Sequence, residues 1–364
     1  MKKLLAIISF PVMILACSQA PSYTIEASIE GLSDGKVYLK QRGASGWDTV
    51  DSTQATGGKF TFNGAVTTPE QYVIMSGETV RVPLFIENSK ITVAGKAAEA
   101  KSITVTGSKV QDEYKAFVAT TEALGAEQEA IYNQYKEARQ KGDTSAMKPL
   151  EAKIDSLDGV MNNQNKKFIL ENGSSFIAPV ILQSVQYGME ADELQSFVSK
   201  ISPEVMQSKA AKKLAERVAL LQTVAVGQIA PDFTRNDSIG TPVKLSDIYS
   251  KNELTLVDFW ASWCGPCRRE NPNVVKTFAE YNGKGFTVLG VSCDSDKAKW
   301  LKAVKDDKLT WNHVSDLKGW GNEAAKLYGV NSIPSNLLVD KTGKIIAKNL
   351  REEKLRETIA GLLK

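Results

Sequence analysis

Two cysteines flanking Gly265 and Pro266, in Trp263-Cys264-Gly265-Pro266-Cys267, are the residues of this chain best suited to chemistry. They stand directly behind the apolar run Leu256-Val257-Asp258-Phe259-Trp260-Ala261-Ser262. Such a run reads as a buried strand, and the cysteine pair then opens the helix that follows it. The first backbone N–H groups of a helix lack partners within it, and together with the helix dipole they stabilise a thiolate on Cys264. Pro266 is at home there, because its missing N–H is one the helix start does not use. The spacing lets Cys267 reach back and close a disulfide. The chemistry indicated is thiol–disulfide exchange, with Cys264 as the attacking sulphur and Cys267, one turn further in and more shielded, as the thiol that resolves the intermediate.

Asp258 lies six residues before Cys264. A polar residue on a wet strand edge is the plain alternative, but Leu254, Leu256, Val257 and Phe259 surround it with apolar neighbours. A carboxyl buried in that way has a raised pKa and becomes a base near neutral pH.

These residues resemble the active-site stretch of thioredoxin, and the C-terminal portion from about Val226 to Lys364 is similar to the thioredoxin-like lipoproteins and tethered reductases of the TlpA/ResA type. Pro272 follows Cys264 by eight residues, where thioredoxins kink their active-site helix. Ser332-Ile333-Pro334-Ser335 precedes the apolar run Asn336-Leu337-Leu338-Val339, as that family's cis-proline loop precedes its next strand. Asp340-Lys341-Thr342-Gly343-Lys344 is a turn between two apolar runs and closes the last hairpin. The resemblance implies that Asp258 shuttles the proton of Cys267. It also implies that Trp263, Gly265, Pro266, Ile333 and Pro334 form the surface that meets a disulfide-bearing client, with Ile333 pairing its backbone to an extended client segment. Gly265-Pro266 is the thioredoxin choice of spacer and implies a reductant. The lysine that many thioredoxins carry near the aspartate is replaced around Gly290.

Gly227-Gln228-Ile229-Ala230-Pro231-Asp232-Phe233 opens the redox domain in a way shared with peroxiredoxins. The Pro-X-X-X-Thr-X-X-Cys frame of a peroxidatic cysteine is absent, so peroxidase chemistry is not expected.

Four cysteines and one histidine limit the alternatives. Cys293 ends a buried-strand pattern and reads as an inert core thiol, with a resolving role as the minority reading. His313 alone supports neither a tetrahedral zinc site nor a histidine-based triad, so no metal and no cofactor are expected. A net charge of +3 without any basic run excludes nucleic acid as a partner.

Further out, the sequence reads as a multidomain chain. Met1-Lys2-Lys3 and the apolar stretch to Ala16 form a lipoprotein-type signal peptide, residues 1–16, too short for a stable membrane span. Ile14-Leu15-Ala16-Cys17 resembles a lipobox, which implies a lipid on Cys17, membrane association through it and a periplasm-facing place in the cell envelope. Residues 17–108 alternate in short runs broken by turns, an antiparallel β domain. Ile29-Glu30-Gly31, Gly58-Lys59-Phe60-Thr61-Phe62-Asn63-Gly64 and Pro83-Leu84-Phe85-Ile86-Glu87-Asn88 resemble the β domain of unknown function found before thioredoxin-like domains in Bacteroidota lipoproteins. Residues 109–223 form a helical middle segment, rich in Ala, Glu, Gln and Lys. Its charged stretch Glu127 to Lys141 reads as a solvated helix face, with a coiled-coil dimerisation arm as the sharper alternative. Residues 224–364 are the α/β thioredoxin fold.

The activity expected is reduction of disulfides in envelope proteins, with electrons from a membrane thiol-transfer reductase. Two rivals stand beside it. One is a disulfide isomerase, which would act as a homodimer; the other is an envelope binding or assembly lipoprotein whose redox domain is secondary.

Overall fold

A computed structural model of the chain describes residues 21–363 apart from 44, 45 and 79. The expected signal peptide and Cys17 lie outside the described residues. The chain divides into two units, residues 1–126 and 127–364.

The first unit carries eight strands: β1 (Tyr23–Glu30), β2 (Gly35–Arg42), β3 (Trp47–Ala55), β4 (Lys59–Gly64), β5 (Glu70–Ser76), β6 (Val80–Ile86), β7 (Lys90–Lys96) and β8 (Glu99–Thr106). They form two four-stranded sheets, ordered β4-β1-β7-β8 and β3-β2-β5-β6. Burial alternates along β1 and β4, as one-sided strands require. Ile25, Ile29, Phe62 and Ile91 of one sheet share a core with Val37, Leu39, Ile74 and Leu84 of the other, so the unit is a sandwich. One pairing departs from the antiparallel expectation: β1 and β7 run parallel. Helix α1 (Lys109–Lys141) follows. Its first turns belong with the sandwich, since Gln111 accepts a hydrogen bond from the Phe85 N–H at 2.8 Å and Tyr114 packs on the Phe85 ring at 5.3 Å.

The second unit begins in the later turns of α1 and continues through α2 (Thr144–Glu171), α3 (Ala178–Val185), α4 (Ala191–Val198) and α5 (Lys209–Thr223). Asp143 caps α2 by accepting from the Ala146 N–H, and Ser208 caps α5 by accepting from Ala211. Tyr135 donates to Glu151 at 3.0 Å and Gln128 donates to Asp158. Positions thus descend on α2 as they climb on α1, the signature of an antiparallel hairpin. The face read as a dimerisation arm is therefore turned partly onto α2 of the same chain.

The redox part opens with the short hairpin β9 (Thr234–Asn236) and β10 (Pro242–Lys244), then α6 (Leu245–Tyr249). Its sheet is built from β11 (Leu254–Trp260), β12 (Phe286–Ser292), β13 (Asn312–Val314), β14 (Ser335–Asp340) and β15 (Ile345–Lys348), ordered β13-β12-β11-β14-β15. The first three are parallel, and β14 and β15 run antiparallel to their neighbours. Central β11 is buried at every position, which explains a sequence that is apolar apart from Thr255 and Asp258. Helices α7 (Gly265–Tyr281), α8 (Lys297–Asp306), α9 (Glu323–Leu327) and α10 (Glu352–Leu362) complete the unit. Pro272 lies inside α7. Among the described residues no helix is long and apolar enough to cross a membrane.

Candidate active site

Strand β11 delivers the chain to Trp260, and four residues later Cys264 caps α7 from an extended conformation (φ −80°, ψ 97°). Its sulphur accepts from the Cys267 N–H at 3.1 Å, using one of the N–H groups that a helix start leaves unpaired. Pro266 sits in the first turn. Cys264 and Cys267 are joined as a disulfide, with Cα atoms 5.3 Å apart. Sequence reasoning expected Cys264 to be exposed and Cys267 shielded. In this oxidised state both are buried, at 4% and 1% exposure. What separates the two is their place at the cap and within the first turn.

The loop from Ala261 to Trp263 is held from outside. Ser262 donates from its N–H and its hydroxyl to the Asp294 carboxylate, at 3.0 and 2.5 Å. Arg268 grips Asp307 with two donors, one of them at 2.7 Å, and reaches the Ser262 carbonyl at 3.2 Å. Asn271 donates to the same Asp307 at 2.6 Å. The bonds to Asp307 push the Arg268 guanidinium above its ordinary range. Arg269 forms an ion pair of 3.7 Å with Glu151 of α2.

Asp258 faces Asn336 on one side and Gly290 on the other, and Gly290 in turn faces His313. Residues in one such row project to the same side of the sheet. Trp260, two residues on, shares that side and meets His313 edge-on at 5.7 Å. His313 stacks on Trp311, and Trp311 packs against Phe278 of α7. Asp258 therefore lies on the face that α7 covers, beneath the cysteine-bearing helix. Burial pushes its carboxyl up to about 7, with the charge of Glu270 adding to the rise and Arg351 opposing it. Burial also holds the His313 imidazole down at about 4, so it is neutral at pH 7.

Ile333–Pro334 is a cis peptide and leads into β14, whose first residue Ser335 pairs with Phe259. Because β14 runs antiparallel to β11, this loop lies at the same end of the sheet as the cysteines. Trp263 is 53% exposed and packs against Trp320, itself 49% exposed, with ring centroids 5.8 Å apart. Trp320 was not among the residues singled out from sequence. Cys293 is fully buried, and burial followed by the charges of Asp316, Asp294 and Asp258 pushes its thiol up to about 12. That environment suits an inert core thiol.

The profile of the AhpC/TSA family matches residues 226–348, and that of a domain of unknown function (DUF4369) matches residues 23–114. Among curated proteins, the thiol-disulfide oxidoreductase ResA of Geobacillus thermodenitrificans is 31% identical over 142 residues, 38% of this chain and 79% of the relative. The chain belongs to the ResA thiol-disulfide oxidoreductases. Another ResA, from Bacillus thuringiensis subsp. konkukian, is 29% identical over 143 residues, again with 79% of the relative covered. A crystal structure of the thioredoxin domain of a thiol-disulfide oxidoreductase from Bacteroides vulgatus is 38% identical and covers 38% of this chain and 99% of its own, with a TM-score of 0.36. The oxidoreductase thus joins a thioredoxin-fold enzyme domain to an N-terminal sandwich of the DUF4369 kind.

Proposed function

We propose that this oxidoreductase reduces disulfides of envelope proteins, with Cys264 attacking and Cys267 releasing the product. In the reduced enzyme the Cys264 thiolate displaces one client sulphur and forms a mixed disulfide, and the departing sulphur takes up a proton. Cys267 gives its proton to Asp258 and attacks Cys264, which expels the second client sulphur. The enzyme ends as the Cys264–Cys267 disulfide, the client has gained two electrons, and a membrane thiol-transfer reductase restores the dithiol. The observation that carries this reading is the cysteine pair at the start of α7 with a carboxyl of pKa about 7 buried on the face beneath it. Exposed Trp263, together with Gly265, Pro266, Ile333 and Pro334, provides the surface on which a client lies. A lipid on Cys17 tethers the enzyme to the periplasm-facing membrane surface.

The reductant assignment is tested by the reduction potential of the Cys264–Cys267 couple. A value nearer to the roughly −270 mV of thioredoxin than to the roughly −120 mV of strong oxidants is expected. A value above about −180 mV, where isomerases lie, would sink it.

A further inference from the structure

A cavity of about 220 Å³ opens beside the Pro334 loop, between the helical segment and the redox sheet. The loop from Gly188 to Glu190 and helix α5 form one wall; Tyr328, the residues around Pro334, and Lys348, Asn349 and Arg351 form the other. The walls meet closely, since a side chain on Gly329 would come within 3.1 Å of Leu221 and 3.4 Å of Leu220.

The polar lining of this cavity is unbalanced. It carries three cations, Arg217, Lys348 and Arg351, against the single carboxylate of Glu190. Glu190 is already engaged: one oxygen accepts from Lys348 at 2.6 Å and the other from Asn349 at 2.9 Å. The Lys348 side chain is only 13% exposed, so that pair is held within the wall. Arg351 donates to the Pro334 carbonyl and so ties the cavity to the loop. Arg217 has no such partner. Its Nε is buried without a hydrogen bond, and no described carboxylate lies within ion-pair distance of it. Burial lowers its pKa somewhat, Tyr187 and Glu190 oppose that, and a guanidinium stays charged throughout. Leaving a buried donor of a charged group unmade is costly, and a carboxylate matches the planar fork of arginine in two parallel hydrogen bonds.

We propose that this cavity is a docking subsite for a carboxylate on the client polypeptide, bound by Arg217 next to the loop of Ile333 and Pro334. The inference rests on the reading that a client lies along that loop. It gives the enzyme a preference for clients with an acidic residue near the disulfide, a property that the cysteine motif does not encode.

The test uses the full oxidised protein and peptides in which serines replace the client cysteines, so binding is read without exchange. Glu is placed in turn at each position flanking the serine pair, with the Gln peptide as its control, and the Arg217 Nε–Hε resonance is followed by NMR. At one or more positions the Glu peptide is expected to bind about 10-fold more tightly than its Gln counterpart, the gain of a charge-assisted pair of roughly 1.5 kcal/mol. Arg217→Leu and the more conservative Arg217→Gln should both erase the difference. Equal affinity at every position, or a difference that survives both substitutions, would overturn the subsite. So would acetate alone moving the resonance as far as the Glu peptides do, which would make it a site for small anions. The cystine forms of the same peptides then separate the two readings. If the Glu preference holds in binding but the reduced enzyme exchanges with neither cystine peptide, the subsite stands and the proposed activity falls.

Discussion

The imidazole of His313 occupies the space that a side chain on Gly290 would need. A β-carbon on Gly290 would lie 2.3 Å from His313 Nδ1 and 3.2 Å from Trp260 Nε1. The row Asn336, Asp258, Gly290, His313 is closed by this fit, and its one missing side chain is the condition for the histidine to pack. Gly290→Ala should therefore destabilise the enzyme by about 1–3 kcal/mol, the usual cost of overpacking a core. Adding His313→Ala should recover part of the loss. Urea unfolding of the two single variants and the double variant measures the coupling, and strict additivity would show that the two positions do not share this space.

Asp258→Asn should separate stability from activity. The folded-state pKa of about 7 lies above the ordinary 3.8 of the carboxyl, so the folded protein holds this proton more tightly than the unfolded chain. The contribution to stability is full below pH 4 and is lost as pH rises to 7. Above pH 7 the buried charge costs on the order of 4 kcal/mol, and the Asn variant is spared it. The variant should melt higher than wild type at pH 8 and show little advantage at pH 4. Its exchange rate should fall by about 100-fold near and above neutral pH, where the lost base is ionised, and converge with wild type at lower pH. A parallel shift of the whole pH–rate profile would assign Asp258 a purely structural part.

The two cysteines should behave differently when changed singly. Cys267→Ser leaves the attacking thiol without its releasing partner and should accumulate mixed disulfides with clients in intact cells. Cys264→Ser should trap few, because the remaining thiol lacks the cap position. Cys293→Ser should turn over as wild type does, given its burial and a thiol pushed to about 12. Non-reducing electrophoresis reads all three, and equal trapping by both active-site variants would contradict the roles.

Trp320→Ala should slow exchange with protein clients and spare exchange with a small disulfide. Loss of one member of the exposed pair with Trp263 removes roughly 0.5–1.5 kcal/mol of aromatic contact, a factor of about 2–10 in rate. An equal slowing for both substrates would mean that Trp320 only supports the fold.

How far the sequence was legible depended on the distance over which each signal acts. The cysteine pair, its proline and the strand before it are local, and their spacing alone specifies a capped helix behind a buried strand. Asp258 was legible because its neighbours along the chain are apolar, which is itself a statement about burial. Asp294 and Asp307 were not. Each carries a residue type that reads as an ordinary surface charge, and each meets the active-site loop or helix from more than thirty positions away. Trp320 and the fit of His313 into Gly290 were hidden for the same reason. Arg217 was harder still, because what marks it is an absent partner.

The 4% exposure of Cys264 in the oxidised enzyme has a kinetic meaning. A thiolate from solution that is to open the Cys264–Cys267 bond must arrive in line with it, and the recessed sulphur leaves a narrow cone for that arrival. Small thiols meet protein surface from most directions, so they should recharge the oxidised enzyme slowly, which the rate of disulfide reduction by glutathione would check. A macromolecular reductant would have to seat itself on this face before it could deliver its sulphur to the recessed bond. If a membrane thiol-transfer reductase of the kind proposed above supplies the electrons, the enzyme's redox state would follow that supply rather than the ambient thiol pool.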